Sequence, residues 1–223
     1  GIDIDPDRIK ESREGAIAEG VEDRVRFLQQ DLFGADFKEA SVMTLYLLSS
    51  VNLKLRPKLL RELRPGSRIV SHDFSMGKWG ADKIDHVKSF YQVHTVYFWT
   101  VPANVTGTWE WTLPLDKGKT QYVLKLDQRF QKVTGDYFLN NSEKPQYYIE
   151  DVELSGNLLR FMIKNESKGK IESLFFEGQV KGHYIEGSVK SNANPMGEKM
   201  RWRARRDLST VTSIDSVDEN IWE

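Results

Sequence analysis

Hydrophobic positions follow one rhythm up to about His72 and another from about Gln92. In the first stretch, short apolar runs alternate with helix-spaced ones. Gly1-Ile2-Asp3-Ile4-Asp5-Pro6 is an apolar-acidic segment that reads as the end of a buried strand. Asp5-Pro6-Asp7 then supplies an N-cap and a first-turn proline for a helix carrying Ile9, Ala16, Ile17 and Ala18 and ending at Gly20. Val25 to Leu28 predicts a short strand that runs into Gln29-Gln30-Asp31-Leu32. Val42 to Leu48 is almost wholly apolar, the pattern of a central strand covered on both faces. Leu53, Leu55, Leu59, Leu60 and Leu63 recur near helical spacing until Arg64-Pro65-Gly66, and Ser67 to His72 is the next strand. Strand, helix, strand, helix, strand implies right-handed crossovers and a parallel sheet.

From Gln92 the period becomes two. Val93, Thr95, Tyr97 and Trp99 alternate, as do Trp109, Trp111 and Leu113, with Thr106-Gly107-Thr108 between them as the turn of an aromatic hairpin. Further strands are predicted at Tyr122 to Phe130, Val133 to Leu139, Tyr147 to Leu154, Leu158 to Ile163, Leu174 to Val180, Tyr184 to Val189 and Met200 to Ala204. Turn signals such as Asn140-Asn141, Ser155-Gly156-Asn157 and Lys181-Gly182-His183 separate them. This is the grammar of an antiparallel meander curled into a barrel or sandwich. The expected organisation is an α/β part at 1–113, an all-β part at 114–206, and an acidic, flexible tail at 207–223 in which Ile221-Trp222 is the one apolar pair that could dock.

Composition narrows the picture only a little. At 223 residues and net charge −1, the chain can bury a sizeable core and has no excess charge that would call for nucleic acid as a partner. The absence of cysteine excludes disulfides, zinc–thiolate sites and cysteine nucleophiles, and fits a reducing compartment. No apolar run approaches the ~20 residues needed to span a bilayer, and the first residues resemble no signal peptide, so a cytoplasmic protein without membrane contact is expected.

Asp3 lies at the carboxyl end of its strand, where open α/β sheets hold the ribose of a nucleotide cofactor. With Gly1-Ile2-Asp3-Ile4-Asp5-Pro6, Gln30-Asp31-Leu32-Phe33, Leu45-Tyr46-Leu47-Leu48 and Leu63-Arg64-Pro65-Gly66-Ser67-Arg68-Ile69-Val70 in that order, the first half resembles the class I S-adenosylmethionine-dependent methyltransferases from their second strand onward. The resemblance implies a partial Rossmann-like sheet and S-adenosylmethionine as cofactor. It gives Asp3 the ribose hydroxyls, Ile4 the adenine face, Asp31 the adenine amino group, and Leu32 and Tyr46 further cofactor contacts. A strand-end cap for Asp3, a buried strand position for Ile4 and a helix cap for Asp31 remain open beside these roles. An acid of this kind normally follows a glycine-rich turn by about 20 residues. None precedes Asp3, so the chain is expected to begin inside the domain and to be inactive alone.

The segment after the fourth family strand faces the methyl group in relatives, which makes Tyr46 and Asn52 candidates to orient a nucleophile. The polar-proline-aromatic tetrapeptide of several amino-methylating members is replaced by Leu47-Leu48-Ser49-Ser50. A buried tyrosine and a helix-capping asparagine are the plainer readings. His72, beside Asp73, is the candidate base, with an ordinary strand-end histidine as its alternative. His86, His94 and His183 look scattered, and no metal site is expected. Arg201, Arg203 and Arg205 alternate around Trp202 and read as a solvated strand face or a basic stripe.

The acceptor is left open, a small molecule or a protein, with protein lysine among the acceptors of a related bacterial group. Two other functions stay in view: a non-enzymatic ligand- or partner-binding barrel with a remnant α/β half, and a dinucleotide-dependent (NAD-type) oxidoreductase. An exposed sheet edge would favour a homo-oligomer.

Overall fold

A computed structural model describes residues 1–115, 118–140, 142–167, 170–193 and 199–215. In chain order the elements are β1 (Ile2–Asp3), α1 (Pro6–Ala18), β2 (Leu28–Gln29), β3 (Val42–Leu45), α2 (Ser49–Glu62), β4 (Arg68–His72), β5 (Lys83–Lys88) and β6 (Val93–Thr100). Then come β7 (Gly107–Leu115), β8 (Gly118–Arg129), β9 (Lys132–Leu139), β10 (Tyr147–Tyr148), β11 (Glu150–Ser155), β12 (Leu158–Ser167), β13 (Lys170–Lys181), β14 (Tyr184–Ser191) and β15 (Met200–Asp207).

The α/β part forms from local signals the sequence carries. Helix α1 starts where Asp5 caps it, the side chain accepting from the Asp7 amide with Pro6 in the first turn. β1 and β2 pair in parallel, and β3-β4-β6-β5 form a four-stranded sheet in which β3 and β4 are parallel and β6 runs against both neighbours. Leu55, Leu59 and Leu63 of the α2 segment bury against Ile69 and Trp99 of this sheet. β3 departs from expectation. It is an edge strand, and Val42 stays 47% exposed, because no described strand pairs on its other side.

The second part is one antiparallel sheet of nine strands, order β10-β9-β8-β7-β15-β14-β13-β12-β11. Its two end strands are consecutive in the chain, so the sheet curls back on itself into a nearly closed barrel. Aromatic rings fill the inside: Trp111 stacks on Tyr122 at 5.2 Å, Phe161 on Phe176 at 4.8 Å, and Trp202 meets Phe176 edge-on at 5.0 Å. Glycine makes room for that indole. A Cβ on Gly178 would sit 2.9 Å from Trp202, and one on the facing Gly187 only 1.9 Å from the Glu177 carbonyl oxygen.

Two sequence expectations change here. The predicted aromatic hairpin does not exist as a pair: Val93–Thr100 closes the four-stranded sheet, whereas Gly107–Leu115 opens the barrel. Trp99, Trp109 and Trp111 are all core, but of two different cores. The expected limit at residue 113 thus falls within β7. The tail also differs. Leu208–Thr210 forms a 3-10 turn, and Ile214 and Asp215 are buried, while Ile221 and Trp222 lie outside the described residues.

That buried tail joins the two parts. Arg56 of α2 donates from Nε and Nη2 to the Asp215 carboxylate at 3.0 and 2.9 Å, and from Nη1 to the Met76 carbonyl at 2.9 Å. Its guanidinium lies 5.1 Å from the ring of Phe130, which tips the β8–β9 hairpin and stacks on Trp79 at 5.9 Å. The barrel therefore plugs an aromatic ring into the α/β core. The connecting segment 101–106 is fastened by Arg206, which donates to the Asn104 and Thr106 carbonyls from over the Trp109 ring. Burial among neutral acceptors pulls this guanidinium down to about 10, still protonated at neutral pH.

Candidate active site

The carboxyl ends of the parallel strands gather most of the candidate residues. Asp3 ends β1 and Asp31 follows β2 by two positions, so the paired strands deliver both carboxylates to one edge. Both are exposed. Each commits one oxygen to the backbone: Asp3 Oδ1 accepts from the Asp5 amide, and Asp31 Oδ1 from the Phe33 amide, both at 2.9 Å. The second bond caps the 3-10 turn Leu32–Gly34, so the capping role read for Asp31 is real. It leaves the other oxygen of that carboxylate for a ligand. Ile4 is not a buried strand residue; it is 71% exposed just past β1. Leu32 is half-buried and packs on the α/β core, and Phe33 beside it is 42% exposed. Exposed apolar groups beside two acceptor carboxylates fit an adenosine moiety, with its flat apolar ring, its donor amino group and its donor diol.

The second cluster stands at the ends of β3 and β4. Leu45 pairs with Ser71, which brings the next residues, Tyr46 and His72, together with ring centroids 5.0 Å apart. Tyr46 is 78% exposed, so the buried-tyrosine reading fails. Asn52 does not face this edge. It lies inside α2, fully buried, and its Nδ2 donates to Ser71 Oγ and the Phe74 carbonyl at 3.2 Å each. It caps no helix, since the N-cap is Leu48; its contacts brace the turn after β4.

That turn holds groups which the sequence kept apart. Asp73 takes a left-handed backbone, φ 60°, and is tied to β6 through two bonds: its amide donates to the Thr95 carbonyl at 2.7 Å, and its Oδ1 accepts from the Thr95 amide at 2.6 Å. Its Oδ2 meets His94 Nδ1 at 2.8 Å and lies 3.5 Å from His72 Nδ1. The His94 contact, then the Thr95 amide, hold the Asp73 carboxyl below the usual carboxylate range. The imidazoles of His72 and His94 are 4.6 Å apart. His94 therefore is not scattered. The antiparallel return of β6 along β4 brings it back, a pairing with no local signal in the sequence.

Among the described helices none is long and apolar enough to cross a membrane. Comparison with known proteins places one family match within the α/β part. Residues 1–83 match the ANTKMT methyltransferase domain family. A protein-lysine N-methyltransferase of Saccharolobus islandicus (strain REY15A) is 37% identical over 101 residues, covering 45% of this chain and 63% of that protein. The crystal structure of an RNA methyltransferase from Salinibacter ruber in complex with S-adenosyl-L-homocysteine is 52% identical, covers 47% of this chain and 66% of that one, and has a TM-score of 0.43. The chain thus spans less than two thirds of the length of the curated relative. The first 83 residues are similar to a methyltransferase domain, and the β-barrel follows that matched stretch.

Proposed function

We propose that this chain carries the adenosine-binding side and the acceptor-facing edge of an S-adenosylmethionine-dependent methyltransferase, with a protein lysine amine as acceptor. The observation that carries the reading is the methyltransferase-domain match over residues 1–83, within which Asp3 and Asp31 stand exposed at one edge of a parallel strand pair. In this reading Asp3 accepts from the ribose hydroxyls, Asp31 accepts from the adenine amino group, and Ile4 and Leu32 flank the ring. When bound, the cofactor supplies a methyl group already activated on a sulfonium. The chain's own work is then positioning and exclusion of water. Tyr46 offers an exposed phenol to orient the acceptor, and His72 is the group at this edge able to take the proton that an ammonium must lose. Asn52 acts at one remove, through the Ser71–Phe74 turn. Lysine as acceptor draws on the relative from Saccharolobus islandicus.

The functional limit between the two parts falls in this reading at 101–106, between β6 and β7, and the filled barrel serves as scaffold. Calorimetry with S-adenosylhomocysteine tests the cofactor half. Binding that weakens in both Asp3→Ala and Asp31→Ala supports it, and equal affinity in both variants and the unaltered protein removes it. Incubating a cell extract and methyl-labelled cofactor with a protein that carries this chain behind the strand and glycine-rich turn of the resembled family tests the acceptor. Label on lysine side chains is expected; label confined to RNA overturns the lysine assignment.

A further inference from the structure

We propose that His72, Asp73 and His94 form a binding site for a divalent transition metal of the zinc type. The ligand atoms of the three side chains lie within 4.8 Å of one another. Both imidazoles turn Nδ1 toward the same carboxylate oxygen, Asp73 Oδ2, at 2.8 Å for His94 and 3.5 Å for His72. Only the first of these is a hydrogen bond. His72 Nδ1 is buried and has no hydrogen-bond partner among the described residues, a position that costs free energy and that a metal ion would satisfy.

The surroundings have the features of a ligand shell. Asp73 is held in a left-handed conformation, uncommon away from glycine and concentrated at functional sites. Two bonds with the Thr95 backbone fix it there, consuming Oδ1 and aiming Oδ2 at the imidazoles. His94 Nε2 contacts the Gln92 side-chain amide at 2.9 Å, and that amide can present its oxygen once Nδ1 takes a metal. Two imidazoles and one carboxylate suit zinc, cobalt, nickel or copper rather than calcium or magnesium. The side chains of His72, Asp73 and His94 are 34%, 33% and 20% exposed, so water keeps access to the remaining coordination positions.

Metal binding does not depend on the methyl-transfer reading and is measurable without cofactor. Where that reading also holds, the two compete: an imidazole bound through Nδ1 carries its proton on Nε2 and cannot accept another from an acceptor. The test is titration of the whole chain with Co²⁺, read by visible absorption, and with Zn²⁺, read by calorimetry. One equivalent is expected, with a d–d spectrum of nitrogen and oxygen ligation and no thiolate band, since the chain has no cysteine. His72→Ala and His94→Ala should each weaken binding by about tenfold or more. Asp73→Asn, which keeps an acceptor for the Thr95 amide, should weaken it too. His86→Ala, altering a histidine whose Nδ1 faces Thr95 Oγ1 at 3.4 Å, should leave affinity unchanged. Absence of binding by protein shown to be folded by circular dichroism overturns the proposal, as does equal affinity in His72→Ala, His94→Ala and unaltered protein.

Discussion

The strand-end edge of the α/β part and the inside of the barrel use aromatic and apolar residues in opposite ways. At the edge, Ile4, Phe33, Tyr46 and Leu48 are between 42% and 78% exposed. In the barrel, Trp109, Tyr122, Tyr137, Leu159 and Ile185 are essentially fully buried. Packing explains the second set: its members belong to one buried cluster in which Trp111, Tyr122, Phe161, Phe176 and Trp202 meet at stacking or edge-on distance. Among the described residues nothing covers the first set to that degree. Exposed apolar groups beside acceptor carboxylates mark a place where something else binds. The contrast supports the chemistry proposed for the edge and a structural role proposed for the barrel.

The largest effect should come from breaking the barrel. Trp202→Ala empties the space bounded by Phe161, Phe176 and Gly178 and should cost about 3–5 kcal/mol, read by chemical denaturation. A change under 1 kcal/mol would mean that the barrel contributes little to global stability. Breaking the junction comes next. Arg56→Ala leaves the Asp215 carboxylate buried without its partner and should cost roughly 3 kcal/mol, whereas pairing it with Asp215→Ala should recover part of the loss. A double variant as unstable as the sum of the singles would show that the two side chains act independently.

Much of the architecture was legible before the structure, and the misses share one cause. α1 could be read because Asp5, Pro6 and the apolar spacing all act within a few residues. The hairpins from β8 onward could be read because glycine and asparagine turns separate alternating runs. β5 escaped notice because every residue in it is exposed, which leaves no apolar face to signal a strand. The docked tail escaped because Arg56 and Asp215 are 159 residues apart in sequence, and neither carries a local mark of its partner. His94 escaped for the same reason, reaching Asp73 only through the β4–β6 pairing. Strand-end positions at Asp3, Asp31, Tyr46 and His72 were readable because each closes or follows a short apolar run; what covers them was not.

A smaller effect separates barrel from edge by pH. Burial pushes the Tyr137 hydroxyl up to about 12, and the hydroxyl donates to the Lys164 carbonyl. A tyrosine whose folded value is raised contributes stability that is fully present below its unfolded value near 10 and is lost as pH rises through the folded value. Stability should therefore fall between about pH 10 and 12, and Tyr137→Phe should flatten that part of the profile. An unchanged alkaline slope in Tyr137→Phe would assign the loss to other groups, Tyr122 first, since burial raises it as well.

At the edge, stability and binding should come apart. Asp3→Ala removes an exposed carboxylate whose internal bond is one contact to the Asp5 amide, so the melting temperature should barely move. Affinity for S-adenosylhomocysteine should drop about tenfold to a hundredfold, the worth of charge-assisted hydrogen bonds to a diol at roughly 1.5–3 kcal/mol. A matching loss of stability would recast Asp3 as a structural cap.

Tyr46→Leu should have the smallest effect on the fold. The ring is 78% exposed, and its one ring contact among the described residues is the tilted approach to His72 at 5.0 Å. Surface substitutions of this kind change stability by no more than about 0.5 kcal/mol. Leucine retains an apolar side chain at the strand end and removes only the phenol and its ring face. Whatever Tyr46 contributes to orienting an acceptor should then appear as reduced turnover, with cofactor affinity and denaturation midpoint preserved. If cofactor affinity falls instead, Tyr46 belongs to the adenosine side of the edge, and the division between cofactor-binding and acceptor-facing groups moves from β3 to β4.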